Sequence, residues 1–240
     1  MKIIQKKITF GLIIGTRNIF NAQLAVEQRK KAIAALDKLG FGYVIPEEGA
    51  TKAGAIETRA EAKICAELFK NHREEIDGII IILPNFGDEI GIIQTLETAN
   101  LNVPILVQAC NDETDKVDVK SRRDAFCGKI SVCNNLYQYN IPFTDTTEHT
   151  CDIDGEFFKQ DVQSFAAVCR TVRGLRSARI GAFGTRPGPF QTVRYSEKIL
   201  QASGITVVPV DLSEIFARAG ALDEKASIVK KKATSIREYG

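Results

Sequence analysis

The chain has 240 residues, 44% of them hydrophobic and 26% charged, with a formal net charge of +2. These values exclude a disordered or collagenous chain, and so balanced a charge gives no strong field to favour nucleic acid or a membrane surface. The length allows a sizeable core without disulfide or metal staples, as one large domain or as one and a half to two smaller ones.

At the N-terminus, MKIIQKKITFGLIIG interrupts its apolar run with Gln5, Lys6 and Lys7 and shows no small-residue cleavage site. It is therefore not expected to be a signal peptide, and a cytoplasmic protein is expected. Ile8–Ile14 reads as the first strand. Asn21–Leu39 follows as a helix, with Leu24, Ala25, Ala32, Ala35, Leu36 and Leu39 on a stripe that also takes in Gln28, and Gly40 stops it. Tyr43–Ile45 is a short strand, and Ile56–Phe69 a helix expected to turn Ile64, Ala66, Leu68 and Phe69 inward. Gly78–Leu83, GIIIIL, is the strongest strand. Its unbroken β-branched run implies burial on both faces, as in a parallel sheet covered by helices.

Ile90–Thr98 is the next helix, Pro104–Gln108 a strand and Arg122–Leu136 a helix. Residues 140–153 are loop-like around a short strand at Ile141–Phe143, and Gly155–Arg173 is a long helix. After Gly174 the pattern restarts: strand Ala178–Phe183, helix Phe190–Ala202, strand Ile205–Val210, helix Leu212–Arg218, and helical residues 222–238. No apolar run reaches the roughly 20 residues of a membrane span. The six cysteines, with no C-x-x-C pair, read as free buried thiols.

The alternation predicts an α/β fold with a doubly wound, mostly parallel sheet of the Rossmann/flavodoxin-like type, followed by the start of a second α/β domain. The expected division is an N-terminal α/β domain over 1–175 and the beginning of a second over 176–240. Two strands are too few for a complete domain of this class. The expectation is therefore an N-terminal part of something longer, or a unit finished by a partner.

Ligands of open parallel sheets bind at the carboxyl ends of the strands. The segments there are Gly15–Asn21, Pro84–Gly91, Ala109–Asp115 and Gly184–Gln191. They carry Arg17, Asn18, Asn85, Asp88, Glu89, Asn111, Asp112, Arg186 and Gln191, side chains suited to a polyol or an anion. Asp88 and Asp211 equally suit helix N-caps. There is no G-x-G-x-x-G, no G-x-x-x-x-G-K-[ST] and no G-x-S-x-G. The stretch RIGAFGTRPGPFQTVRYSE has the form of strand, loop and helix start, but Pro187 and Pro189 remove two donors an anion would use. His72 and His149 are far apart, and the acidic segment Thr144–Glu156 lacks the spacing of a Ca²⁺ loop, so it is expected to be a solvated loop.

Four stretches carry a family resemblance by their order and spacing: IIGTRNIFNAQLAVEQRKKAIAAL, DGIIIILPNFGDEIGIIQTLETANLNVPILVQACN, RRDAFCGKISVCNNLYQYNIPF, and the closing FAAVCRTVRGLRSARIGAFGTRPGPFQTVRYSEKILQASGITVVPVDLSEIFARA. Together they resemble the L-fucose isomerase / L-arabinose isomerase family. That resemblance implies a cytoplasmic aldose–ketose isomerase working through an ene-diol with a divalent metal, usually Mn²⁺. In that family the metal ligands and catalytic carboxylates come from a later part of the chain, so none is expected here and this chain alone is expected to be inactive. The resemblance also implies a homo-oligomer in which the N-terminal domain covers a neighbour's sugar pocket. Arg17 and Phe86 would then touch the sugar, beside Asn18, Asn85 and Asp88, and Arg186 would lie near the cleft. Arg17 stands where arabinose isomerases carry Gln and fucose isomerases can carry Arg, and a guanidinium also suits an anionic substrate. The alternative is a non-catalytic sugar- or anion-binding α/β module.

Overall fold

The computed structural model describes residues 6–239, so the Met1–Gln5 part of the leading apolar segment lies outside it. The chain divides into two compact units, Met1–Arg173 and Gly174–Gly240.

The first unit follows the order β1 (Thr9–Ile14), α1 (Ala22–Leu39), β2 (Gly42–Val44), α2 (Arg59–Asn71), β3 (Gly78–Leu83), α3 (Glu89–Ala99), β4 (Ile105–Ala109), α4 (Ala125–Gln138), β5 (Thr144–Asp145) and α5 (Glu156–Arg176). The five strands are all parallel and lie in the order β2-β1-β3-β4-β5, the flavodoxin-like winding. All six residues of β3 are buried. Ile79, Ile81 and Leu83 pack with Phe69 of α2, Ile92 of α3 and Val132 of α4, while Ile80 and Ile82 pack with Leu36 of α1 and Phe158 and Phe165 of α5. The unbroken apolar run therefore does what it implies, feeding one core on each face of the sheet.

Local signals set the helix ends. Asn21 caps α1 by accepting from the Gln23 N–H at 3.0 Å, and Gly40 ends it at φ 78°, a left-handed conformation that costs a glycine little. Helix α2 starts at Arg59 rather than Ile56, because Thr58 and Glu61 form a reciprocal capping box and Ile56 bridges to Gly15 as extended chain. Its inward stripe is Ala62, Cys65, Ala66 and Phe69, whereas Ile64 is 43% exposed. The expected set of 64, 66, 68 and 69 does not share one helical face, and the i, i+3, i+4, i+7 set does. Helix α4 starts at Ala125, which leaves Arg122 and Arg123 in the preceding loop. The last strand pairs at Thr144–Asp145, not at 141–143.

Two buried charges tie loops to this frame. Asp77 accepts from the Thr9 N–H at 3.0 Å and pairs with Arg173 of α5 at 2.5 Å. Lys129 turns inward from α4, donates to Thr146 Oγ1 at 2.6 Å and to the His149 carbonyl at 2.9 Å, and pairs with Asp145. The Thr144–Glu156 segment is thus anchored by an ammonium rather than simply solvated. All six cysteines are free, but Cys127 is exposed and Cys133 half-buried, so only four fit the buried reading. Burial pushes the thiol of Cys110 up to about 12 and that of Cys151 up to about 11, which makes both unreactive.

The second unit pairs β6 (Arg179–Phe183) in parallel with β7 (Thr206–Val210), with α6 (Glu197–Ala202), α7 (Leu212–Gly220) and α8 (Ser227–Tyr239). Asp211 caps α7 by accepting from the Ser213 N–H at 2.7 Å. The helix expected over 190–202 is a short 3₁₀ turn, Gln191–Val193, and then α6. None of the described residues from 174 to 239 is buried. No described helix is long and apolar enough to cross a membrane.

The capping box gives a pH test. Burial of the Glu61 carboxyl would raise its pKa, but the N–H groups of Thr58, Lys52 and Glu57 outweigh that and hold it below the ordinary value. A pKa lowered by folding gives stability above the unfolded value of about 4.3, lost as pH falls through the folded one. The urea midpoint should therefore fall between about pH 5 and about pH 3. Glu61→Gln should flatten part of that fall and cost up to about 1 kcal/mol at neutral pH. An unchanged pH profile in the variant would remove Glu61 from the account.

Candidate functional site

The chain leaves β1 towards β2 on one side and leaves β3 towards β4 on the other, so the carboxyl ends of β1 and β3 frame the switch point of the sheet. Three connections meet the carboxyl edge there: Gly15–Asn21 after β1, Pro84–Asp88 after β3, and 110–124 after β4. The first is pinned from both sides. Gly15 N–H donates to the Ile82 carbonyl at 2.9 Å and Thr16 N–H to the Ile56 carbonyl at 3.1 Å. The Asn18 N–H donates to the Glu57 carboxylate at 2.7 Å, and the Phe20 N–H closes a turn onto the Arg17 carbonyl at 3.0 Å.

Asn85 joins the first two loops. It has no exposed surface; its Nδ2 donates to Thr16 Oγ1 at 2.9 Å and its Oδ1 accepts from the Gly87 N–H at 3.1 Å. Both ends of the amide are engaged inside the protein, so Asn85 acts on the site by bracing it. Phe86, the next residue, comes out beneath Arg17, whose guanidinium carbon lies 4.3 Å from the ring centre. Arg17 Nε is buried and has no hydrogen-bond partner. A second stacked pair sits on the same turn, with the guanidinium carbon of Arg122 5.6 Å from the centre of the Phe20 ring. Arg122 Nε is also buried, with the Asp124 carboxylate at 3.4 Å as an ion pair that lacks hydrogen-bond geometry. Arg123 donates to the Pro84 carbonyl at 3.0 Å. Stacking fixes the plane of a guanidinium and leaves its edge N–H groups free to meet carboxylate, phosphate, sulfonate or hydroxyl oxygens.

The carboxylates nearby do structural work. Asp88 caps α3 by accepting from the Gly91 N–H at 3.0 Å. Glu89 bonds Ser131 and Asn135 of α4, the latter at 2.8 Å. Asp112 accepts from the N–H groups of Ala125 and Phe126 at 2.8 and 3.0 Å and so starts α4, while its neighbour Asn111 is exposed. Helix α4 then lies directly on the β3 loop: a Cβ on Gly128 would fall 1.9 Å from the Phe86 carbonyl oxygen.

In the second unit, one nitrogen of Arg186 donates to the carbonyls of Pro187, Gly188 and Phe190 at 3.0, 2.8 and 3.1 Å, so this guanidinium orders its own loop. Gln191 is exposed within the short turn. The following α-helix starts only at Glu197 behind its cap Ser196, so the Gly184–Gln191 loop does not present its N–H groups as a helix start. Sequence reasoning missed Phe20, Glu57, Arg122 and Gly128. Asp124 in RRDAF stands at the position before the helix but makes no side-chain cap bond there; Asp112 supplies it, so no local signal separated Arg122 from the helix. Among the described residues, no group of three or more His, Cys, Asp or Glu side chains is arranged to hold a metal ion.

A flavodoxin-ordered sheet whose switch-point loops carry guanidiniums over aromatic rings, in place of a glycine-rich phosphate cradle, defines the class as an α/β domain with a parallel sheet. The chain belongs to the fucose/sulfoquinovose isomerase family, matching its N-terminal domain over residues 11–176. The resemblance seen in the sequence therefore holds at family level, and the matched span takes in β1 from Gly11 and all of β2 to β5. Among curated proteins, no sequence matches the chain.

The seat of Phe86 can be tested at Gly128. Gly128→Ala should destabilise the first unit by about 1–3 kcal/mol, because the new Cβ meets backbone rather than a flexible side-chain end. Gly49→Ala, with nothing within 4 Å of its Cβ position, should stay within about 0.5 kcal/mol of the parent. Urea unfolding of both variants checks this, and equal midpoints would refute the contact.

Proposed function

We propose that this chain is the substrate-facing N-terminal portion of an aldose–ketose isomerase that interconverts the two sugars through an ene-diol. The observation that supports this most is Arg17, stacked on Phe86 at the switch point with a buried Nε that lacks a partner. In this reading Arg17 donates to sugar oxygens, Phe86 is the apolar wall beside them, and Asn18 lines the rim. Asn85, Asp88 and Glu57 hold those groups in place, while Arg186 orders its own loop in the second unit.

The described residues do not fit a divalent metal, so no step is assigned to one held here. In this reading a divalent metal such as Mn²⁺ would supply polarisation of the substrate's C1 and C2 oxygens, and residues other than those described would hold it and act as acid and base. This chain alone is then inactive. Arg17 and its neighbours orient the sugar and exclude water, covering a pocket completed by another subunit of a homo-oligomer.

Of the two sugars in the family's description, one is a neutral deoxy sugar and the other carries a sulfonate. A second guanidinium, Arg122 of the β4 loop over the Phe20 ring, favours the anionic one, its charge being shared with Asp124. A purely binding role is the second reading, favoured by the use of Asp88, Glu89, Asp112 and Glu57 as caps and braces.

The test is turnover of L-fucose and sulfoquinovose by the intact protein with and without Mn²⁺. Metal-dependent ketose formation is expected, with the sulfonated sugar preferred. Arg17→Ala should lower kcat/KM about 10- to 100-fold, the loss of one charge-assisted hydrogen bond, and Arg17→Lys should restore part of it. Sugar binding without turnover under any metal would favour the binding module. Turnover unaffected by Arg17→Ala would take Arg17 out of the site.

A further inference from the structure

Arg29 lies on the buried side of α1 with Ala25, Gln28, Ala32 and Leu36, and is only 7% exposed. Its guanidinium donates to two carbonyls rather than to a carboxylate: that of Pro46 at 2.7 Å and that of Gly54 at 3.4 Å. Burial pulls its pKa below the ordinary value, with Glu48 and Tyr43 opposing. A buried cation must be matched by acceptors, so these two carbonyls are held where they are. The chain is shaped to reach it. Ala53 and Gly54 are both left-handed, at φ 58° and 62°, and a Cβ on Gly54 would fall 3.0 Å from Arg29 Cδ.

The same segment is held from the other face of the sheet. Glu61 of α2 accepts from the N–H groups of Lys52, Glu57 and Thr58 at 3.0, 3.0 and 2.9 Å. A Cβ on Gly91 of α3 would fall 2.6 Å from the Glu57 carbonyl oxygen, so α3 closes on it as well. A guanidinium thus fixes carbonyls of the segment between β2 and α2, and a carboxylate fixes its N–H groups. Ile56 and Glu57 come out of this clamp facing the β1 loop. The Ile56 N–H donates to the Ile14 carbonyl at 2.7 Å, and its own carbonyl accepts from the Thr16 N–H at 3.1 Å. The Glu57 carboxylate accepts from the Asn18 N–H at 2.7 Å. Thr16 and Asn18 are the two chain neighbours of Arg17, so the peptide on either side of Arg17 is anchored in residues 56 and 57.

We infer, on the reading that Arg17 meets the sugar, that Arg29 is a positioning residue for it and acts through residues 54–57 without touching a ligand. Arg17 owes its place to those two N–H bonds, to the turn that the Phe20 N–H closes on its carbonyl, and to the Phe86 ring. The two N–H bonds trace back to the segment that Arg29 holds. A displacement of about 1 Å in a group that orients a substrate can cost about 100-fold in rate, so a buried residue remote from the ligand can act on it strongly.

Amide hydrogen exchange on the intact protein tests this without turnover. Arg29→Met should speed exchange at Thr16 and Asn18 at least about tenfold, while the amides of β3 stay slow. Arg29→Lys keeps a charge and can reach one of the two carbonyls, so it should give an intermediate rate at the same amides. It carries the test where Arg29→Met loosens β3 as well. Lys30→Ala, at the exposed neighbouring position, should change neither. In turnover of sulfoquinovose, Arg29→Met should lower kcat/KM about tenfold in the parent but no more than about twofold on top of Arg17→Ala, because the two act through one group. Thr16 and Asn18 amides unmoved in both variants, β3 loosened as much as they are in both, or the same loss of turnover in both backgrounds would each overturn the inference. If Arg17→Ala leaves turnover unchanged, the sugar reading falls instead, and the two amides alone decide whether Arg29 sets the place of Arg17.

Discussion

The six residues of β3 are all buried, and their peptide groups must find partners sideways, in β1 and β4. Two layers of helix are then required, because the side chains alternate between faces and each buried isoleucine contributes about 1.5–3 kcal/mol only if covered. Helices α2, α3 and α4 cover one face, and α1 and α5 the other. Since each strand is parallel to its neighbours, every connection crosses a face and every strand ends at the same edge. The gathering of three loops at that edge is thus a consequence of burying β3.

What those loops do is fixed by polar contacts rather than apolar ones. Asn85 spans from Thr16 to Gly87, Glu57 holds the Asn18 N–H, and Asp112 starts α4 so that Gly128 can lie against the Phe86 carbonyl. A buried amide such as Asn85 left unmatched costs about 1–3 kcal/mol, so the first two loops have few other arrangements open to them. The arginines are held differently. Arg17 and Arg122 rest on aromatic faces, which orient a guanidinium without using up its N–H groups. One rigid amide behind and two guanidiniums over aromatic rings in front give an edge whose shape the protein's own contacts set.

The sequence showed these features unevenly, and the reason lies in how far each signal reaches. The GIIIIL run and the Gly40 stop are local: a β-branched run and a left-handed cap are decided by neighbouring residues. The start of α2 was also local, but a helical period over Ile56–Phe69 hid the Thr58–Glu61 box inside it. Arg122 was lost in the same way, drawn into a helix that Asp112, a residue far off in sequence, begins at Ala125. Asn85 and Arg17 stood alike at strand ends in the sequence. Only the fold shows that the amide turns inward to Thr16 while the guanidinium turns out over Phe86. In the second unit the alternation of elements was legible, but alternation says nothing about covering, and β6–β7 carries no buried residue.

Helix α4 connects what would otherwise be separate features. Its inner side seats Phe86 through Gly128, its inward lysine fixes the segment after β5, and its first turn is set by the carboxylate of the β4 loop. Its outer side carries no charge. A residue pushed outward on α4 therefore has somewhere to move, whereas one pushed inward meets the Phe86 backbone at once. The outer surface of α4 and the shape of the switch-point edge are thus coupled across the thickness of one helix, by packing alone and with no moving part between them.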